Sequence, residues 1–162
     1  MYPLNSERWT DSIPMHIRRA DRSDAETLVA FNRAMAAETE DKSLNLDALR
    51  SGVRALLLNE DKGFYLVAER EARIVGSLMI TTEWSDWRDG TFWWVQSVYV
   101  RPDARRQGVY TALYTEVKDR ARAEPDVCGL RLYVEKDNAA ARDAYRTLGM
   151  KETPYRMYEE ML

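Results

Sequence analysis

Cysteine and histidine are almost absent from this chain: its 162 residues include one of each, Cys128 and His16. A lone cysteine excludes an internal disulfide, and with a single histidine beside it no ligand set for a zinc site remains, so no metal is expected. That usage fits the reducing cytoplasm. Long apolar runs are missing too. Met1 to Pro14 is polar and lacks an apolar signal core, so neither a membrane span nor export is expected. An excess of basic charge is also lacking. With 27 acidic side chains against 24 basic ones and a pI near 5.3, the chain as a whole repels polyanions, which argues against nucleic acid as a partner.

What remains is enough for one domain with a core of its own, 45% of the residues being hydrophobic. Met1 to Pro14 carries no period and reads as a disordered tail or the result of an upstream start; the fold is expected to open at Met15-His16-Ile17-Arg18 and to occupy residues 15–162. Ser23-Asp24-Ala25-Glu26 has the form of a capping box, with Leu28, Phe31 and Met35 following at helical spacing, which predicts a helix from Asp24 to Glu40. A second helix is expected over Asp47 to Leu58. Phe64 to Glu69 and Ile74 to Thr82 read as strands joined by the charged turn Arg70 to Arg73, and Thr91 to Val100 as a longer strand rich in aromatic and β-branched residues. A helix from Gly108 to Ala123, a strand from Leu130 to Val134, a helix from Ala139 to Leu148 closed by Gly149, and a strand from Tyr155 to Glu160 complete the series. This order implies an α/β (α+β) fold: a mixed, mostly antiparallel central sheet flanked by helices.

The most informative stretch runs from Val98 to Thr111, where a strand ends in Arg101-Pro102, crosses a basic turn and restarts as a helix behind Gly108. Backbone N–H groups at a helix start lack intrahelical acceptors and favour an anion, and Arg101, Arg105 and Arg106 add positive potential. The stretch therefore reads as a site for a phosphorylated cofactor. The plain alternative is a solvated basic turn before an amphipathic helix.

The loop Arg105-Arg106-Gln107-Gly108-Val109-Tyr110 resembles the acetyl-CoA loop of the GNAT superfamily of N-acetyltransferases, Arg/Gln-x-x-Gly-x-Gly/Ala. A second anchor is Asn138 to Met150, which is similar to that family's Asn-x-x-Ala-x-x-x-Tyr-x-x-x-Gly-Phe, with Met150 in place of Phe. The resemblance covers the chain from Ile17 onward. It implies acetyl-CoA as cofactor and CoA as product, with the backbone of Val98, Tyr99 and Val100 along the pantetheine arm and the amides of Gln107, Gly108, Val109, Tyr110 and Thr111, with Arg105 and Arg106, at the pyrophosphate; Asn138 and Ala141 belong to the second motif. Tyr110 departs from the family's small residue, so its ring has to turn away or reshape the pocket.

The activity implied is direct transfer of an acetyl group from a thioester to an amine. Tyr145 matches the tyrosine that serves many members as general acid, and Asn138, Ala141, Arg142 and Tyr145 share one helix face by spacing. A phenol with a reference pKa near 10 is protonated at neutral pH and can donate to a thiolate of reference pKa near 8.5; a packing tyrosine is the alternative. Some relatives carry a carboxylate where this chain has Gln96 and Ser97, so the amine's proton must go elsewhere, to Glu83, Asp86 or Glu38. The aromatic hairpin of Trp84, Trp87, Trp93 and Trp94, with Trp94 and Gln96 read as sharing a strand face with Val98 and with Glu83 and Asp86 interleaved, suits a cationic small-molecule or peptide amine. A hairpin core or a homodimer contact fits the same residues. A rival of another class is an acyl-CoA-binding sensor with no turnover.

Overall fold

The computed structural model describes residues 14–162. The tail assignment for Met1 to Pro14 therefore lies, except for Pro14, outside the described residues. The chain forms two compact units, one ending at Arg131 and the other spanning Leu132–Leu162.

In the first unit, alternating apolar residues build strands β1 (His16–Arg19), β2 (Phe64–Arg70), β3 (Arg73–Ser85) and β4 (Gly90–Val100), paired antiparallel in chain order. Strand β5 (Val127–Arg131) adds parallel to β4, which makes the mixed, mostly antiparallel sheet expected. The turn between β2 and β3 carries positive φ at both Glu71 (52°) and Ala72 (57°), a conformation whose twist suits a tight hairpin although neither residue is glycine.

Residues paired across an antiparallel ladder project from the same face. Tyr65, Val67, Ser77, Met79 and Tyr99 thus share one face, on which helices α1 (Ala25–Glu40) and α2 (Leu46–Leu58) pack, with Leu28, Val29, Val53 and Leu56 in the common core. Leu66, Ala68, Gly76, Leu78 and Ile80 form the opposite face, which takes helix α3 (Val109–Ala123). Gly76 is what lets α3 come close: a Cβ there would lie 2.8 Å from Val109 Cγ1 and 3.1 Å from the Tyr99 carbonyl oxygen.

The start of α1 differs from the expected capping box. Asp21, rather than Ser23, takes the cap: its carboxylate accepts from the Ser23 N–H (2.8 Å) and its own N–H donates to Asp24 Oδ2 (2.8 Å), so a short 3-10 turn, Arg22–Asp24, precedes the helix. Asp24 is drawn there by Arg18, whose guanidinium grips both its carboxylate oxygens at 2.7 and 2.9 Å and reaches Glu69 at 2.8 Å. Asp24 is buried, and these two carboxylates raise the guanidinium pKa above its ordinary value. Strand β5 also sits three residues earlier than its apolar content implied, because the Thr91 N–H bonds to the Asp126 carbonyl (2.7 Å) and β4 sets the parallel register from there.

The second unit holds helix α4 (Ala139–Thr147). The Asn138 side chain caps its start by accepting from the Ala141 N–H (3.1 Å). At its end Gly149, at φ 94°, lets Met150 and Gly149 donate back to the carbonyls of Tyr145 and Arg146, both at 3.0 Å. The strand expected over Tyr155 to Glu160 is absent: these residues pair with no ladder among the described residues, and Tyr155, Met157 and Tyr158 are exposed. Alternation supplies a propensity, and a strand also needs a partner edge. No helix of the described residues is long and apolar enough to cross a membrane.

Candidate functional site

Two irregularities shape the stretch from β4 to α3. The first is a bulge. Met79 pairs with Gln96 but Ser77 pairs with Tyr99, so Ser97 and Val98 together oppose one residue of β3, and Ser97 takes a left-handed φ of 48°. Tyr99, rather than Val98 as simple alternation implied, therefore shares the face of Trp94 and Gln96. Its ring packs on Phe31 of α1 (centroids 4.8 Å apart), and its backbone pairs with Ser77 of β3. On its other side β4 pairs with β5 only from Thr91 to Trp94, so Gln96 to Val100 extend past the last pair, Trp94 with Arg131.

The second irregularity is the loop. Arg106 (φ 61°) and Gly108 (φ 78°) are left-handed and flank a Gln107 of negative φ, an alternation that gathers successive N–H groups toward one side. Gly108 is the N-cap of α3, and the helix ladder opens only with the Ala112 N–H donating to the Gly108 carbonyl (2.9 Å). A Cβ at Gly108 would meet nothing within 4 Å, so the loop faces open space there. Val109 is buried behind it against Gly76, and the Tyr110 ring runs along the helix to stack on Tyr114 (centroids 6.0 Å apart).

The three arginines are not equivalent. Arg105 turns back to the sheet: its Nη2 meets Glu38 Oε2 at 2.5 Å, its Nε donates to the Val100 carbonyl (2.9 Å), and its guanidinium lies 5.7 Å from the Tyr99 ring centre. The Tyr99 hydroxyl also donates to Glu38 (3.3 Å). Burial, followed by the Glu38 charge, pushes that phenol up. Arg101 pairs with Asp103 (3.1 Å). Arg106 alone of the three makes no ion pair with a described residue. Gln107 is held by its side chain, which accepts from Arg70 Nη1 (2.6 Å) and donates to the Asp103 carbonyl (3.0 Å). Arg70, unremarked in the sequence, is thus what ties the loop to the end of β2.

The sheet separates the hairpin tryptophans. Trp94 pairs with Thr81, and Trp84 and Trp93 pair with Thr91 and Thr82 on the opposite face; Trp87 is 87% exposed at the tip. Trp84 is therefore not beside Glu83, Trp94 and Gln96, which do share a face. Glu83 accepts from Trp94 Nε1 (2.6 Å) and from Arg131 Nη1 (2.6 Å), and Gln96 bonds to the Thr81 hydroxyl. Asp86 caps its own turn by accepting from the Trp87 N–H (2.9 Å). Arg131 is the member of this patch that the sequence did not reveal, since a lone arginine in an apolar strand carries no pattern.

Within the second unit, Tyr145 lies on α4 seven residues beyond Asn138, and burial raises its phenol above the ordinary value, so it stays protonated at neutral pH. The Ala141 N–H is engaged by the Asn138 cap. Arg142 of the same helix donates to the Lys136 carbonyl (3.0 Å) and to Glu152 (3.0 Å). No group of three or more metal-ligating side chains exists among the described residues.

The family model of the acetyltransferase (GNAT) family matches residues 21–150. The chain is similar to a possible acetyltransferase from Clostridium difficile 630, with 44% identity over 91% of this chain and 97% of that one and a TM-score of 0.86. Its fold is also similar to that of a predicted acetyltransferase with acetyl-CoA from Clostridium acetobutylicum (19% identity, 91% of this chain and 96% of that one, TM-score 0.75). The same holds for an aminoglycoside N-acetyltransferase in complex with CoA (15% identity, 91% of this chain and 95% of that one, TM-score 0.74). No curated protein matches the chain.

Proposed function

The chain belongs to the acetyltransferase (GNAT) family, and from that premise we propose that it transfers an acetyl group from acetyl-CoA directly to a primary amine of a small molecule or peptide in the cytoplasm. The observation that carries this reading is the loop at Arg106 to Gly108: two left-handed residues, an unpaired arginine and open space, at the start of a helix. That arrangement fits a pyrophosphate, since the helix start favours an anion by about 0.3 to 1 kcal/mol in an exposed setting and each charge-assisted contact adds to it. Arg105, tied to Glu38 and Val100, serves by holding the loop against the end of β4, and the backbone of Val98 to Val100 is the proposed track for the pantetheine arm.

When bound, acetyl-CoA supplies the thioester whose C–S bond breaks as the new C–N bond forms. The chain's own residues handle the protons. The Tyr145 hydroxyl, kept protonated by burial, donates its proton to the departing thiolate sulfur. Glu83 takes the amine's proton, directly or through water; Glu38 and Asp86 are the other carboxylates within this proposal, and Asn138 and Ala141 support the start of α4.

The test is thermal. At a ligand concentration of about 100 times Kd, binding stabilises the fold by about 2.7 kcal/mol, which for a chain of this length raises Tm by roughly 5 to 11 °C. Gly108→Glu removes that shift by setting a carboxylate where the pyrophosphate lies. An unchanged shift in the variant refutes the loop as the site. Release of free thiol with a mixed amine panel separates turnover from mere acyl-CoA binding.

A further inference from the structure

Beyond the loop, the face of the sheet bearing Gln96 holds an ion pair that stability does not require. Glu83 and Arg131 meet at 2.6 Å with their side chains 44% and 34% exposed. Exposed pairs of this kind contribute about 0 to 1 kcal/mol. Their surroundings nevertheless fix them. The Arg131 guanidinium lies 3.6 Å from the centre of the buried Phe92 ring, and Trp94 Nε1 donates to the second oxygen of Glu83. Glu83 and Phe92 face each other across β3 and β4, and Trp94 and Arg131 form the last pair of β4 with β5.

Arg131 donates to no acceptor among the described residues except Glu83, through Nη1. Stacking leaves the remaining in-plane N–H groups of its fork available. Glu83 in turn has one bond on each oxygen and so keeps lone pairs on both. Arg88 also lies over the Phe92 ring, at 5.1 Å, while Asp86 and Asp89 of the hairpin tip pair with neither arginine. The patch therefore offers one carboxylate and a pre-oriented guanidinium side by side, with further positive charge close by.

We propose that the Glu83–Arg131 pair is a zwitterion-reading subsite, so that the acceptor is an amine bearing a carboxylate on the same or an adjacent carbon, as in an α-amino acid. This rests on the acetyltransferase reading above and names its substrate class. The acceptor's ammonium sits on Glu83 and its carboxylate on the open edge of Arg131, without the resident pair having to separate. A carboxylate-free amine leaves the open edge of Arg131 without a ligand, and an anion without an amine leaves the remaining lone pairs of Glu83 without one.

Calorimetric titration of the CoA-saturated protein with each of the twenty common amino acids, its α-amide and its decarboxylated amine tests this. At least one amino acid is expected to bind about tenfold or more tightly than its amide and its amine, the loss expected for removing a charge-assisted contact. Arg131→Gln erases that difference while the Tm shift from acetyl-CoA stays as in the wild type; Arg131→Lys, which keeps the charge without the fork, retains part of it. Equal binding of amino acid and amide, or binding of no amino acid at all, overturns the proposal. The two readings fail separately. Thiol release with carboxylate-free amines alone sinks the zwitterion subsite and keeps the transferase, whereas selective amino-acid binding without thiol release from acetyl-CoA does the reverse.

Discussion

A single methyl group placed on Gly76 sets local propensity against packing, and the two predict opposite signs. Replacing a strand glycine by alanine at a backbone it can adopt stabilises a protein by about 0.4 to 1 kcal/mol through the unfolded chain. At this position the new Cβ would lie 2.8 Å from Val109 Cγ1, 3.1 Å from the Tyr99 carbonyl oxygen and 3.5 Å from Leu113 Cδ1. The Tyr99 oxygen belongs to the neighbouring strand and cannot withdraw, and a buried valine in a helix has essentially one χ1 rotamer. Overpacking costs about 1 to 3 kcal/mol, and a contact inside 3.0 Å together with one to fixed backbone puts this case in the upper half of that range, leaving a net loss of about 1 to 2.6 kcal/mol after the entropic gain. With about 2 to 4 °C of Tm per kcal/mol for a chain of this length, Gly76→Ala should melt roughly 2 to 10 °C below the wild type in calorimetry. Because Val109 opens α3 directly behind the Arg106 to Gly108 loop, the Tm shift given by acetyl-CoA should shrink as well. Adding Val109→Ala removes the clashing methyl and should recover part of both losses. A Gly76→Ala protein that melts at or above the wild-type temperature would refute the argument that this glycine sets the seat of the helix.

Other expectations follow the same logic. Arg18→Met leaves the buried Asp24 carboxylate without its bidentate partner and should cost about 3 kcal/mol in denaturant unfolding, against nearly nothing for Arg122→Met on the exposed surface. The Arg18 hydrogen bond holds the Glu69 carboxyl below its ordinary value, so this group's stabilisation is complete above the unfolded pKa of about 4.3 and is lost as pH falls through the lowered folded value; unfolding measured between about pH 6 and pH 3 should show a loss that is smaller in Arg18→Met. Tyr145→Phe should lower kcat by about 10² to 10⁴-fold with acetyl-CoA binding nearly intact, and wild-type turnover in that variant would return the residue to packing.

Features governed by near neighbours in the chain were legible in advance; those governed by a distant partner were not. Asn138 and Gly149 bound α4 as their cap chemistry dictates, and Gly108 stands at the start of α3, because each of these depends on a few adjacent backbone groups. Ser23 and Glu26 formed an equally good local pattern, yet Arg18, six residues from Asp24 and on another element, moved the cap to Asp21. The basic loop read as three arginines of one kind, whereas Glu38, 67 residues away, takes Arg105 out of the set. Arg131 shows the limit most plainly. Its meaning lies in Glu83 and Phe92, which only sheet pairing brings beside it. The strand expected at Tyr155 to Glu160 fails for the same reason, having alternation and no ladder.

The bulge at Ser97 makes β4 a strand written in two phases. Up to Gln96, even-numbered residues point to the side of α1 and odd-numbered ones to the side of α3; at Tyr99 the parity has reversed. The inserted residue thus works as a frame change, letting one uninterrupted strand present Trp94 and Gln96 and then Tyr99 to the same side, with only the last of these closed off by Phe31. Losing one residue at this point would turn Tyr99 out of its seat against α1 and carry the Val100 carbonyl away from Arg105, although no side chain chemistry had changed. Length, as much as identity, is what this part of the chain has to keep.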